Sequence, residues 1–223
     1  MKKYLYEKTI KMPRGSHYGS DYWVVYSKKL NRRVQCYSML EFANFLQIEM
    51  NPAIEYFCEQ PLKITLPDQP KKSAIFDFWI QYSDGSTEFQ ETKYSKDLND
   101  DERTIQQIEL QKEWCMRNNQ NYRVITEKDL LDPFLFNNLK KLHFIISNSD
   151  HLFNPNMEIL RCIKKHQTIS IEQLSDMLEY SLCDLFEEIA IQFYIGTLTM
   201  DLSSRPLDIH MEVSLLCKNI NII

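Results

Sequence analysis

The stretch "SAIFDFWIQYSDGSTEFQETKY", Ser73 to Tyr94, constrains the fold of this chain more than any other. Two runs rich in aromatic and β-branched residues flank Ser83-Asp84-Gly85, so the segment reads as a β-hairpin. Loop length then fixes the register, and a slip of one residue turns every side chain to the opposite face. A two-residue Asp84-Gly85 turn pairs Ser83 with Ser86 and leaves Asp77 facing Thr92. A three-residue loop pairs Tyr82 with Ser86 and sets Asp77 across from Glu91. Ser-Asp-Gly suits the longer loop, a type I turn closed by a left-handed glycine, and that register is favoured.

In it, Asp77 and Glu91 are cross-strand neighbours with Cβ atoms about 5 Å apart. Phe89 and Lys93 share the Glu91 face. Two adjacent carboxylates repel unless a cation lies beside them. Lys93 supplies one charge, and a divalent metal would supply more. The plain alternative is a solvated surface ion pair. Phe76, Phe78, Trp79 and Phe89 flank the charges and argue against free solvation.

Two further residues carry two readings each. Ser38-x-x-Glu41 matches a helix capping box. Phe45 follows Glu41 at i+4, which also lets Glu41 border the buried stripe and face the sheet. Lys112 falls between Ile108 and Cys115 on the expected inward stripe of its helix. It either snorkels to solvent or reaches a phosphate or a metal-bound carboxylate.

The remaining pattern is mixed. "YSMLEFANFLQIEM" and "RTIQQIELQKEWCMRNN" read as helices, and "IEYFCEQPLKITLP" as extended, because its prolines exclude a long helix. "YRVIT" reads as a strand, and "EKDLLDPFLFNNLKKL" as helix in two pieces around Pro133. The Asn- and Ser-rich "ISNSDHLFNPNM" reads as a linker. Beyond it come three short helices and a hairpin over "TLTMDLSSRPLDIHMEV", the outline of a winged helix. In its third helix Leu182, Leu185, Phe186, Ile189, Ala190 and Phe193 form an apolar stripe. The expected fold class is an α/β domain, a mixed sheet flanked by helices over residues 1–148, followed by a winged-helix-like domain over 149–223.

Composition narrows the function. Four glycines and no phosphate-loop pattern argue against a nucleotide-binding loop. The six cysteines show no CxxC spacing, so they read as buried small hydrophobes in a reducing, cytoplasmic setting. No apolar run approaches membrane-spanning length, so no membrane partner is expected. Net charge is −5. Yet the first forty residues carry nine Lys or Arg against two acids, while Gln167 to Ser204 has seven acids and no Lys or Arg. The basic end suits a polyanion, with Lys28, Lys29, Arg32, Arg33 and Lys112 as candidate DNA contacts, or else is a solvated arm.

Helical Glu41, strand Asp77 and Glu91-Thr92-Lys93 on the next strand resemble the E…PD…(D/E)xK pattern of restriction-endonuclease-like nucleases. "VYSKKLNRRVQCYSMLE", "CEQPLKITLP", "FDFWIQYSDG", "QETK" and "YRVITEKDL" resemble, in order, blocks of the TnsA endonucleases of heteromeric transposases. The resemblance covers about residues 20–132, and the tail from about 156 to 215 matches the two-domain TnsA layout. Two departures stand out: Phe76 replaces the proline before the aspartate, and Glu91 stands where TnsA proteins can carry Gln. The resemblance implies a bacterial cytoplasmic, Mg²⁺-dependent DNA endonuclease, with Mn²⁺ as a substitute. Asp77, Glu91 and the Thr92 carbonyl would hold one ion, Glu41 would help hold it or a second, and Lys93 would orient the nucleophilic water or stabilise developing charge. It also implies double-stranded transposon-end DNA as substrate, a TnsB-like transposase partner and, further, a TnsC-like regulatory ATPase. The alternatives are a stand-alone restriction or recombination nuclease and a non-catalytic adaptor bridging DNA and protein.

Overall fold

A computed structural model describes residues 4–11, 21–149 and 156–216. Lys2, Lys3 and Arg14 of the basic segment, half of the expected linker and Cys217 lie outside them. The described residues form two compact units, within Met1–Ile48 with Ala53–Leu131 and within Glu49–Pro52 with Asp132–Ile223.

In the first unit the strand order is β3-β6-β7-β8, built from β3 (Ile54–Glu59), β6 (Phe78–Tyr82), β7 (Thr87–Thr92) and β8 (Asn121–Ile125). The β3–β6 and β6–β7 pairs are antiparallel and β7–β8 is parallel. Helix α3 (Glu102–Arg117) makes the crossover that a parallel pair requires. The three-residue loop is present: the Tyr82 N–H donates to the Ser86 carbonyl at 2.9 Å, and Gly85 has φ +87°. The last paired residues are Phe78 and Gln90, so the next step of the register sets Asp77 opposite Glu91.

A second hairpin, β4 (Lys63–Leu66) with β5 (Gln69–Ile75), stands beside this sheet. Its Ile64, Leu66 and Ala74 join Phe76, Trp79, Phe89, Leu110 and Cys115 in one apolar cluster. The Phe76 and Phe89 rings lie 4.4 Å apart. Aromatic burial on this scale anchors both hairpins against α3. Helix α1 (Met39–Met50) begins after Ser38, whose hydroxyl accepts the Glu41 N–H at 3.0 Å.

A hairpin the sequence reading did not identify, β1 (Trp23–Ser27) with β2 (Arg32–Cys36), precedes α1. Asn31 turns it with φ 51°, and Trp23 stacks on Phe42 at 4.4 Å. The basic residues between Lys28 and Arg33 drew attention to charge and masked the alternation of Val34 and Cys36.

The second unit contains α5 (Pro133–Asn148), α6 (Met157–His166), α7 (Ile171–Leu178) and α8 (Leu182–Tyr194). Its three short strands, β9 (Thr168–Ser170), β10 (Leu198–Met200) and β11 (Glu212–Leu215), form an antiparallel sheet ordered β10-β11-β9. The expected hairpin is thus β10 and β11 joined by Asp201–Met211. On α8 the buried apolar residues are Leu185, Ile189, Ala190 and Ile191, while Leu182 at the start of the expected stripe is exposed. Helix α5, read from sequence as the end of the first domain, clusters here instead. Buried Asn138 shows why: its amide donates to the Leu202 and Arg205 carbonyls at 2.9 and 2.7 Å, and its oxygen accepts the Leu207 N–H at 2.7 Å. No helix among the described residues is long and apolar enough to cross a membrane.

Candidate active site

A cavity of about 820 Å³ in the first unit brings Glu41, Asp77, Glu91, Thr92 and Lys93 together. Three pieces of the chain deliver them, and a fourth element supports them. Glu41 comes from the first turn of α1, Asp77 from the break between β5 and β6, and Glu91 and Thr92 from the end of β7, with Lys93 next in the chain. The fourth element is α3, which supplies Gln107 and Gln111.

Glu91 is fully buried. One carboxylate oxygen meets Lys93 Nζ at 2.9 Å and accepts the Gln107 amide at 2.6 Å. The other accepts the Gln111 amide at 2.7 Å. Asp77 accepts both the backbone N–H and the hydroxyl of Thr92, each at 2.7 Å. These bonds fix the Asp77 and Glu91 carboxylates side by side in the cavity.

Glu41 stands at the start of its helix without closing the capping box that the sequence suggested. Its carboxylate accepts the Tyr37 N–H at 3.0 Å, just before the helix, and it also lines the cavity. The Gln60 amide reaches the same oxygen at 3.2 Å. Gln60 is buried, has φ 39°, and donates its backbone N–H to the Asp77 carbonyl at 2.8 Å. A left-handed non-glycine residue is costly and persists where its surroundings over-determine it.

The electrostatics follow from three acids around one ammonium. Burial, then Asp77, pushes Glu91 up to about 7 despite the pull of Lys93 and Gln111. Burial, then Asp77, likewise holds Glu41 well above the usual carboxylate range, with Glu91 adding to the effect. Burial would lower Lys93, but Glu91, Asp77 and Glu41 outweigh it and hold the ammonium above its ordinary value. The cluster is short of positive charge.

The residues expected to touch DNA lie elsewhere. Arg32 forms a two-pronged pair with buried Glu59 at 2.6 and 2.7 Å. Lys29 donates to the Ile54 carbonyl at 2.8 Å, and Lys28 is half-buried. Arg33 is exposed in a separate groove with Thr9, Lys11 and Tyr22. Lys112 is exposed beside Glu109 and Glu113, outside the carboxylate cavity. The inward face of α3 is turned from the expected stripe. It buries Thr104, Leu110, Gln111 and Cys115, with Gln107 half-buried, because the two amides serve Glu91. Apolar periodicity undervalued those glutamines, although their i, i+4 spacing was visible.

Among the described residues, no group of three or more His, Cys, Asp or Glu side chains is set to hold a metal ion. The donors present are hard oxygens, and Glu41 is already engaged by Tyr37 and Gln60. Mg²⁺ is usually held by one or two carboxylates with water and substrate phosphate completing its shell, so the Asp77–Glu91 pair has fitting chemistry.

Residues 51–127 match the family model described as "TnsA-like endonuclease N terminal". No curated protein matches the chain. The matched span contains Asp77, Glu91, Thr92, Lys93, Gln107 and Gln111, and begins after Glu41. Across that span the resemblance read from the sequence is borne out, and this part of the chain is TnsA-like.

Proposed function

We propose that this protein is the metal-dependent DNA endonuclease subunit of a heteromeric transposase, hydrolysing phosphodiester bonds at the 5′ ends of its element. The observation that carries the reading is the convergence of Asp77, Glu91 and Lys93 in one cavity inside the TnsA-like segment. Asp77 and Glu91, with the Thr92 carbonyl, would hold Mg²⁺ or Mn²⁺, and Glu41 would add negative potential beside them. The ion would supply Lewis-acid chemistry, activating water and offsetting charge on the phosphate. Lys93, fixed against Glu91, orients the attacking water or meets the developing negative charge. Gln107 and Gln111 keep Glu91 aimed into the cavity.

The second unit fits a winged-helix-like module that docks protein rather than a DNA groove. Its α8 carries Asp184, Glu187 and Glu188, which suit the major groove poorly. Phe144, 70% exposed, lines an apolar groove with Ile145, Phe186 and Leu207. A TnsB-like transposase subunit or a TnsC-like ATPase would be its partner, and the separate transposase would cut and join the 3′ ends.

A nicking assay tests this reading. Supercoiled plasmid bearing the element ends is incubated with Mg²⁺ or Mn²⁺ and the partner transposase. Wild type should nick, and Asp77→Ala and Lys93→Ala should lose at least about 100-fold in rate, as expected for removal of electrostatic or metal-ligating groups. Equal nicking by the variants would overturn the assignment. The adaptor reading draws on the lack of a three-ligand cluster among the described residues. It predicts DNA binding with no metal-dependent nicking under any partner combination.

A further inference from the structure

We infer that the β4–β5 hairpin, through Lys63, Lys71 and Lys72 and with Arg103 at the start of α3, grips the backbone of duplex DNA over the carboxylate cavity. The inference rests on the nuclease reading and adds the substrate-holding surface that the sequence sought elsewhere.

Lys63, Lys71, Lys72 and Arg103 are exposed and line the cavity that also holds buried Glu41 and Glu91 and half-buried Asp77. Asp97 lines the same cavity, Lys72 also borders Glu109 and Glu113, and Asp101 lies near enough to feel Arg103. Among the described residues the three lysines have no ion-pair partner. Of the cations expected to meet DNA, Arg32 is held by Glu59 and Lys29 by a backbone carbonyl, while Arg33 and Lys112 are exposed in grooves apart from this cavity. A chain of net charge −5 thus gathers lysines without an ion-pair partner at the mouth of the cavity that holds Glu41, Asp77 and Glu91.

The hairpin is suited to hold that charge still. Lys63 pairs with Ile75 in the β4–β5 register, and Ile64, Leu66 and Ala74 on its other face pack into the core against Leu110. Lys63 thus stands on the outer face of an anchored ribbon, and Lys71 and Lys72 follow on its irregular stretch between Gln69 and Ser73. Buried acids alone would repel a phosphodiester, and the screening length is about 10 Å at 0.1 M salt, so cations at the mouth act on any phosphate brought over the acids. Lysine ammonium groups on a ribbon track a phosphate backbone without reading bases, which is the positioning a cutter needs.

The test measures binding separately from cutting. Fluorescence anisotropy with a labelled 30-base-pair duplex in EDTA compares the full-length wild type with K71E/K72E and K28E/K29E over a salt series. The double change on the hairpin should weaken binding by about tenfold or more and flatten the log–log salt slope by about 2, one counterion for each phosphate that the variant no longer neutralises. K28E/K29E should stay within about twofold of wild type, and melting temperatures should be unchanged for the hairpin variant. Wild-type affinity and slope in K71E/K72E would overturn the inference and leave the nuclease reading standing on the nicking assay. Weakened binding with unaffected nicking in Asp77→Ala would keep the DNA surface and remove the nuclease. A wild type that binds no duplex even at low salt would overturn both.

Discussion

Gln111 donates its amide to Glu91 at 2.7 Å while its own oxygen accepts the Tyr122 hydroxyl at 2.8 Å. Gln111 is fully buried and also donates to the Ile75 carbonyl at 3.2 Å. Hydrogen bonds to a buried carboxylate are worth about 1.5–3 kcal/mol each, so Gln111→Leu should destabilise the fold by about that much. Tyr122→Phe removes only the outer link and should cost about 1 kcal/mol. Urea denaturation of both variants checks the order; a smaller loss for the leucine variant would refute it.

The acid cluster predicts a pH dependence. Glu91 ordinarily titrates near 4.5 and is pushed to about 7 by burial, then by Asp77. A carboxyl raised in the folded state contributes stability that is present below its ordinary value and lost as pH rises through the folded one. Glu91→Gln lacks that loss. The stability difference between variant and wild type should therefore move in favour of the variant between pH 4.5 and about 7. The movement should not exceed about 1.4 kcal/mol per pH unit. It should level off above the window. Thermal denaturation across that range is the check, and a constant difference would contradict the burial of the charge.

Arg32 and Glu59 form a pair in which Glu59 is 1% exposed. Removing the guanidinium strands a buried carboxylate, so Arg32→Ala should cost about 2–4 kcal/mol. Changing both to apolar residues of similar volume should recover much of the loss. A double-mutant cycle by chemical denaturation measures this. If Arg32→Ala were neutral for stability, the residue would be released for another role.

Thiol reactivity reports packing directly. Burial pushes Cys115 up to about 12, and burial, then Glu59, does the same to Cys58. Thiolate is the reactive form, and at pH 8 such thiols are about 0.01% ionised. Cys183 is exposed. Among the described cysteines, mass spectrometry after iodoacetamide treatment should find Cys183 labelled first, and Cys58 and Cys115 labelled only on unfolding.

Much of the site was legible because one turn governs it. Ser83-Asp84-Gly85 states its own loop length, and the strand period then carries Asp77 across to Glu91. The capping signal at Ser38 was equally local. What escaped depended on partners distant in sequence. Gln60 joins Glu41 across 19 residues, and Gln111 joins Glu91 across 20. Neither amide belongs to an apolar stripe or a charge pattern. Arg32 looked like a free cation because nothing near it in sequence names Glu59 as its partner. Helix α5 looked like the end of one domain because Asn138 finds its partners more than 60 residues later.

The separation of acids inside from lysines outside has a thermodynamic corollary for the proposed nuclease. A cation settling among Asp77 and Glu91 would lessen the repulsion felt by an incoming phosphate, and DNA seated on the hairpin would enrich cations nearby. Linkage makes such help mutual, so whatever factor the ion adds to DNA affinity, DNA must return to ion affinity. Each guest would bind more tightly in the presence of the other, and cutting would then be favoured where both are bound.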